Sequence, residues 1–141
     1  DEGLATDLLG RMSTQGADFT NTFRRLCQVD FTDPRRDQPL RELFQDPAVF
    51  DQWATEWRAR LAQVPVPETE RRSAMRAVNP AYIPRNHRVK QAIDAANAGD
   101  LEPLERLLQV VSRPYDDHPG YEEYANPPLP GEVVRQTFCG T

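Results

Sequence analysis

Thirteen prolines spread along 141 residues set the strongest limit on what this chain can fold into. Each one fixes its own φ, removes a backbone donor and pushes the residue before it toward extended geometry. Long helices are cut short, and no alternating strand pattern of useful length survives between the breaks. What lies between the prolines is helical in pattern. Leu4, Leu8, Leu9 and Met12 form one apolar stripe, closed by Gly16, and Phe19, Phe23 and Leu26 form another, with Asp18 placed to cap its start. Residues 30–39 are polar, contain two prolines and read as a loop; Pro39 then opens a short turn carrying Leu40, Leu43 and Phe44.

The clearest helix is expected over residues 47–63. Asp46 is a good N-cap, Pro47 takes the favoured first position, and Val49, Phe50, Trp53, Trp57 and Leu61 recur at helical spacing. Residues 68–78 form a further helix, with Glu68 and Glu70 in the first turn and arginines after them, an order that suits the helix dipole. Val89, Ile93 and Ala96 mark the next helix, which closes at Gly99. Asp100 caps the last one, where Leu104, Leu107, Leu108 and Val111 share a face. The short Gly99-Asp100 join predicts a hairpin of helices. From Pro114 onward periodicity vanishes among prolines, acids and Tyr115, Tyr121 and Tyr124. Two readings of this tail stand: draped over the helices by its tyrosines, or disordered. The expectation is an all-α bundle of about six short helices over residues 1–113, around Trp53 and Trp57, with an irregular Pro/Tyr-rich tail over 114–141.

The segment Asn79-Pro80-Ala81-Tyr82-Ile83-Pro84-Arg85-Asn86-His87 joins two helical patterns and is itself neither helix nor strand. It is stiff, and it packs an aromatic, an aliphatic, a guanidinium and an imidazole into nine residues, where a plain spacer would be Gly/Ser-rich or charged. Asn79, Tyr82, Arg85, Asn86 and His87 are its candidate recognition groups. One account is local: Asn86 or its neighbour caps the following helix while Arg85 braces nearby carbonyls. The other is docking against another domain.

Composition excludes several classes of function. The net charge is −5 and no basic run exceeds two residues, so a nucleic-acid footprint is not expected. No apolar run approaches the length of a membrane span, and no signal-peptide pattern is present. The chain opens on Asp1 rather than Met, which suggests processing or a piece of something larger. Its two cysteines, Cys27 and Cys139, lie far apart, which is no secreted disulfide framework and suits a reducing cytoplasm.

The chain carries little that points to catalytic chemistry. The seven glycines are isolated, so no phosphate loop is formed, and His87 and His118 have no ligand-spaced partner. Asp116-Asp117-His118 reads as a solvated turn before Pro119, Glu102 and Glu105 as the wet face of a helix, and Trp53 and Trp57 as core anchors. Cys27 falls within a helical stripe, as an inert buried thiol would. Cys139 sits in the terminal tail, where a thiol is free to exchange with a partner disulfide.

The runs Asp18-Phe19-Thr20-Asn21-Thr22-Phe23-Arg24 and Phe50-Asp51-Gln52-Trp53, the segment from Arg72 through Asn86, and the terminal Phe138-Cys139-Gly140-Thr141 together resemble the C-terminal part of the selenoprotein O family of protein adenylyltransferases. The resemblance covers nearly the whole chain, and its Asn79–Asn86 portion is the specific part. It implies a longer protein of kinase-like fold that binds ATP with Mg²⁺ in an inverted orientation and transfers AMP to Ser, Thr or Tyr hydroxyls of protein substrates. The nucleotide- and metal-binding residues of that family lie upstream of the matched region, so none carries over here, and the piece is expected to bind no cofactor and to be inert alone. Cys139 matches a redox-active position of the family, whose disulfide partner also lies upstream. The implied tasks are to support the catalytic region and to present Cys139. Two rivals are a module that recruits substrates through the Pro/Tyr-rich tail and a purely structural buttress.

Overall fold

The computed structural model describes residues 2–135. Among these residues the regular structure is seven α-helices and three short 3-10 turns, with no strand. The chain divides at Asn79–Pro80 into two compact units. The expected boundary at 113/114 followed the loss of periodicity. The contacts instead group the irregular segment after residue 113 with the two helices before it.

In the first unit, α1 (Glu2–Gln15), α2 (Phe19–Leu26), α3 (Gln38–Arg41), α4 (Pro47–Leu61) and α5 (Glu68–Val78) follow one another. Their starts are set as the sequence indicates. Asp18 accepts a hydrogen bond from the Asn21 amide at 2.9 Å and Asp46 from the Ala48 amide at 3.0 Å. Gly16 leaves α1 with φ of +65°, a conformation that other residues adopt at a penalty. Phe50 and Trp53 sit at the centre of the core with Leu8, Met12, Leu40 and Phe44 around them. Trp53 also donates its indole N–H to the Leu4 carbonyl at 2.9 Å, which satisfies its one polar atom and ties α4 to α1. Trp57, half-buried, stacks on Trp53 at 5.2 Å and meets Phe31 edge-on at 5.3 Å. Leu9 departs from the expected stripe and is exposed, because the buried face of α1 runs through Leu8 and Met12.

The polar stretch 30–39 is more ordered than a loop reading suggests. It contains a 3-10 turn at Pro34–Arg36 and is folded around two aspartates. Asp30 accepts from the hydroxyl and amide of Thr32 and from the Asp33 amide, and pairs with Arg36 at 3.0 Å. These contacts, Thr32 foremost, hold the Asp30 carboxyl far below the usual range. Asp37 is only 2 % exposed and its carboxylate is held by Arg58 of α4 at 2.7 Å. A carboxylate buried to that degree persists because it is paired.

In the second unit, α6 (Asn86–Asn97) and α7 (Glu102–Val111) form the expected hairpin. Gly99 makes the turn at φ +90°, and Asp100 accepts from the Glu102 amide at 3.0 Å. The apolar stripes are rotated from those expected. Ala92, Leu107 and Val110 are buried, whereas Ile93 and Leu108 are exposed. The reason is the segment after α7. It returns over the hairpin through 3-10 turns at Glu122–Ala125 and Pro130–Glu132 and places Tyr124 in the core beside Ala81, Tyr82 and Leu107. Arg88 and Arg106 lie over the Tyr124 ring at 5.4 and 5.9 Å. Of the two readings of the tail, its described part is the draped one.

Candidate functional site

The Asn79–His87 segment is where recognition groups concentrate, and its residues have separate tasks. Asn79 closes α5. Its backbone and side-chain amides both donate to the Met75 carbonyl, at 3.1 and 2.8 Å, and its own carbonyl accepts from Arg24 at 3.1 Å. Two donors on one carbonyl complete the last turn before Pro80 makes further helix impossible.

Ala81 and Tyr82 lie in extended chain and both donate backbone N–H groups to the Pro114 carbonyl, at 2.7 and 3.3 Å. That bond joins the segment to the point where α7 gives way to irregular chain. Tyr82 continues the link with its side chain. Its buried hydroxyl lies 3.4 Å from both the amide and the carbonyl of His118, accepting from the first and donating to the second. The Tyr82 and His118 rings meet edge-on at 5.3 Å. His118 Nε2 lies at 3.1 Å from the Arg113 carbonyl.

His118 corrects the sequence reading. Asp116 and Asp117 are exposed, as a solvated turn requires, but His118 is 6 % exposed and forms the buried knot that holds the returning segment. The partner that makes it so, Tyr82, is 36 residues away.

The helix that follows begins differently from expectation. Arg85 precedes α6 with extended backbone, Asn86 is its exposed first residue, and no side chain caps it. The local account that gave Asn86 or its neighbour a capping role therefore fails. Arg85 and His87 are both buried. Burial pushes the His87 imidazole below its ordinary value, with Arg88 and Arg85 adding to the shift and Glu132 opposing it. Its Nε2 is buried without a hydrogen-bond partner among the described residues. Tyr82, Arg85 and His87 thus face inward, while Ile83 and Asn86 are left at the surface.

Cys27 is a buried free thiol that donates to the Phe23 carbonyl at 3.2 Å. Burial raises its pKa, which makes it a poor nucleophile. Cys139 lies outside the described residues. Among the described residues no three carboxylate, imidazole or thiol groups converge as a metal site requires. No described helix is long and apolar enough to cross a membrane.

These observations describe an all-helical region with a proline-stiffened segment whose Ala81 and Tyr82 anchor the irregular chain of the second unit. Residues 1–112 match the family model of protein adenylyltransferase SelO. The chain is 52% identical to the protein nucleotidyltransferase YdiU of Nitrobacter winogradskyi over 138 residues, which is 98% of this chain and 27% of that protein. It is likewise 52% identical to the proteins of the same name from Bradyrhizobium diazoefficiens and Rhizobium meliloti, over the whole of this chain and 28% and 29% of theirs. The chain belongs to the protein adenylyltransferase SelO family. It spans somewhat more than a quarter of the length of these curated relatives.

Proposed function

We propose that this chain is the C-terminal helical region of a protein adenylyltransferase and supports a kinase-like catalytic lobe rather than reacting itself. In the longer protein, ATP and Mg²⁺ bind upstream. The hydroxyl of a protein Ser, Thr or Tyr attacks the α-phosphorus of ATP, pyrophosphate leaves, and AMP stays on the protein. The family match over residues 1–112, on a chain that covers only about a quarter of its relatives, carries this reading. The inward-facing motif supports it. Tyr82 and His118 fix the backbone and Arg85 and His87 are buried, which leaves Ile83 and Asn86 as the part of the motif open to docking. The tyrosines of the returning segment argue the same way. Tyr124 is buried and Tyr121 donates to Gln109 at 2.7 Å, so these rings brace the hairpin rather than await a substrate. Cys139 is the redox-sensitive thiol in this reading, since the buried Cys27 is ill suited to exchange. The setting is a reducing cytoplasm, and the partners are the upstream lobe and its protein substrates. Incubation of the chain alone with labelled ATP and Mg²⁺ tests the claim. No AMP transfer to protein is expected, and transfer by the isolated chain would refute it.

A further inference from the structure

The first unit holds a small cleft whose charge is not explained by packing. It has a volume of about 180 Å³ and lies between the end of α2, residues 36–40 and the second turn of α5. Three arginines line it, Arg25, Arg36 and Arg72, in a chain whose net charge is −5. Like charges gathered from three elements repel one another unless something offsets them. The protein offsets them only in part. Arg36 pairs with Asp30 at 3.0 Å and Arg72 with Glu68, while Arg25 is met by the carbonyl of Pro39 and, among the described residues, by no carboxylate. Asp37, on the same wall, is already paired with Arg58 at 2.7 Å. Among the described residues the three lining arginines and Arg58 are thus matched by three carboxylates, Asp30, Asp37 and Glu68, which leaves an excess positive charge at the cleft. The Nε of Arg72 is moreover buried with no acceptor among the described residues.

We propose that this cleft binds a phosphate-type oxyanion. Guanidinium groups present paired N–H donors whose spacing matches the oxygens of a phosphoryl group, and arginine favours such anions for that reason. The volume accommodates an orthophosphate or a pyrophosphate. An anion there accepts from Arg25, Arg36 and Arg72 together. It joins α2, the 30–40 segment and α5 through one charge centre.

The test is thermal unfolding of the 141-residue chain at constant ionic strength, with orthophosphate, pyrophosphate or AMP added against chloride. A ligand that binds only the folded state raises the midpoint in a saturable way. Orthophosphate and pyrophosphate are expected to do so; a stronger response to pyrophosphate identifies a diphosphate as the natural group, and an equal one a single phosphoryl. Arg25→Gln and Arg36→Gln should each raise the half-saturating concentration by about tenfold, the loss of one charge-assisted contact. Arg106→Gln, in the other unit, should leave it unchanged. Arg36 is exposed, so its variant decides the matter if Arg25→Gln fails to fold. No difference between phosphate and chloride, a response to AMP alone, or full binding by the Arg36 variant would overturn the proposal.

Discussion

Both tryptophans of the chain lie in the first unit and all four tyrosines in the second. The first unit packs Phe44, Phe50, Trp53 and Trp57 against one another, with ring centroids 5.2 to 6.1 Å apart, and holds them mainly by shape, with the Trp53 indole bonded to the Leu4 carbonyl. Among the described residues the second unit has two α-helices and an irregular segment, with two 3-10 turns, to fix upon them. Its rings carry hydroxyls, and at least three of the four meet a polar partner by hydroxyl or ring face: Tyr82 with His118, Tyr121 with Gln109, Tyr124 beneath Arg88. An apolar core suits helices, whose backbone groups are already satisfied. Irregular chain has free amides and carbonyls, and aromatic side chains with polar tips both bury area and tie those groups down. The first unit should therefore be sensitive to lost volume, the second to lost polar contacts and to charge state.

The largest effect is expected where volume matters most. Phe50 is 0 % exposed, and Phe50→Ala should destabilise the first unit by about 3–5 kcal/mol, read from tryptophan fluorescence during denaturation. A loss below about 1 kcal/mol would mean that the core collapses around the gap and that shape is not what holds it. In the second unit Tyr82→Phe keeps the ring and deletes the hydroxyl. The two contacts it removes are long, at 3.4 Å, so about 1 kcal/mol is expected, with faster hydrogen exchange at the His118 amide. An unchanged exchange rate would show that the knot is packing alone and would erase the contrast between the units.

Acid provides the smallest and most selective perturbation. His87 has a folded-state pKa below its ordinary 6.5, so the unfolded chain binds the proton more readily. Its contribution is complete above 6.5 and is lost as pH falls below that value. Asp30 is also depressed, from an ordinary 3.8, and its contribution is lost only in stronger acid. Tyrosine signals in near-ultraviolet circular dichroism should therefore weaken at milder acidity than tryptophan signals. The reverse order would break the comparison.

Local chemistry made much of the fold legible. Asp18 and Asp46 each cap a helix start through contacts two or three residues away, Asp100 bonds the Glu102 amide just ahead of the N-cap Leu101, and Gly99 turns the hairpin where glycine was needed. The helical class and the Trp53 core follow from spacing alone. What stayed hidden depends on partners distant in sequence. Ile93 and Leu108 look like core positions until the returning segment takes the other face of the hairpin. His118 looks solvated until Tyr82 reaches it. The segment around Asp30 carried a readable sign, an aspartate two residues before Thr32, which is the pattern of a side-chain-closed turn. The buried Asp37–Arg58 pair had none, since its members are 21 residues apart. The Asn79–His87 segment stood out for its composition, but its inward-facing use became clear only with the Pro114 carbonyl in place.

The central claim is that this region supports AMP transfer without performing it. Its most direct test is labelled-ATP transfer by a longer protein of the family, with and without the segment that corresponds to this chain. The account predicts that the deletion abolishes most transfer to protein while the isolated chain transfers none. Full activity in the deleted protein, or AMP transfer by the chain alone, would contradict it.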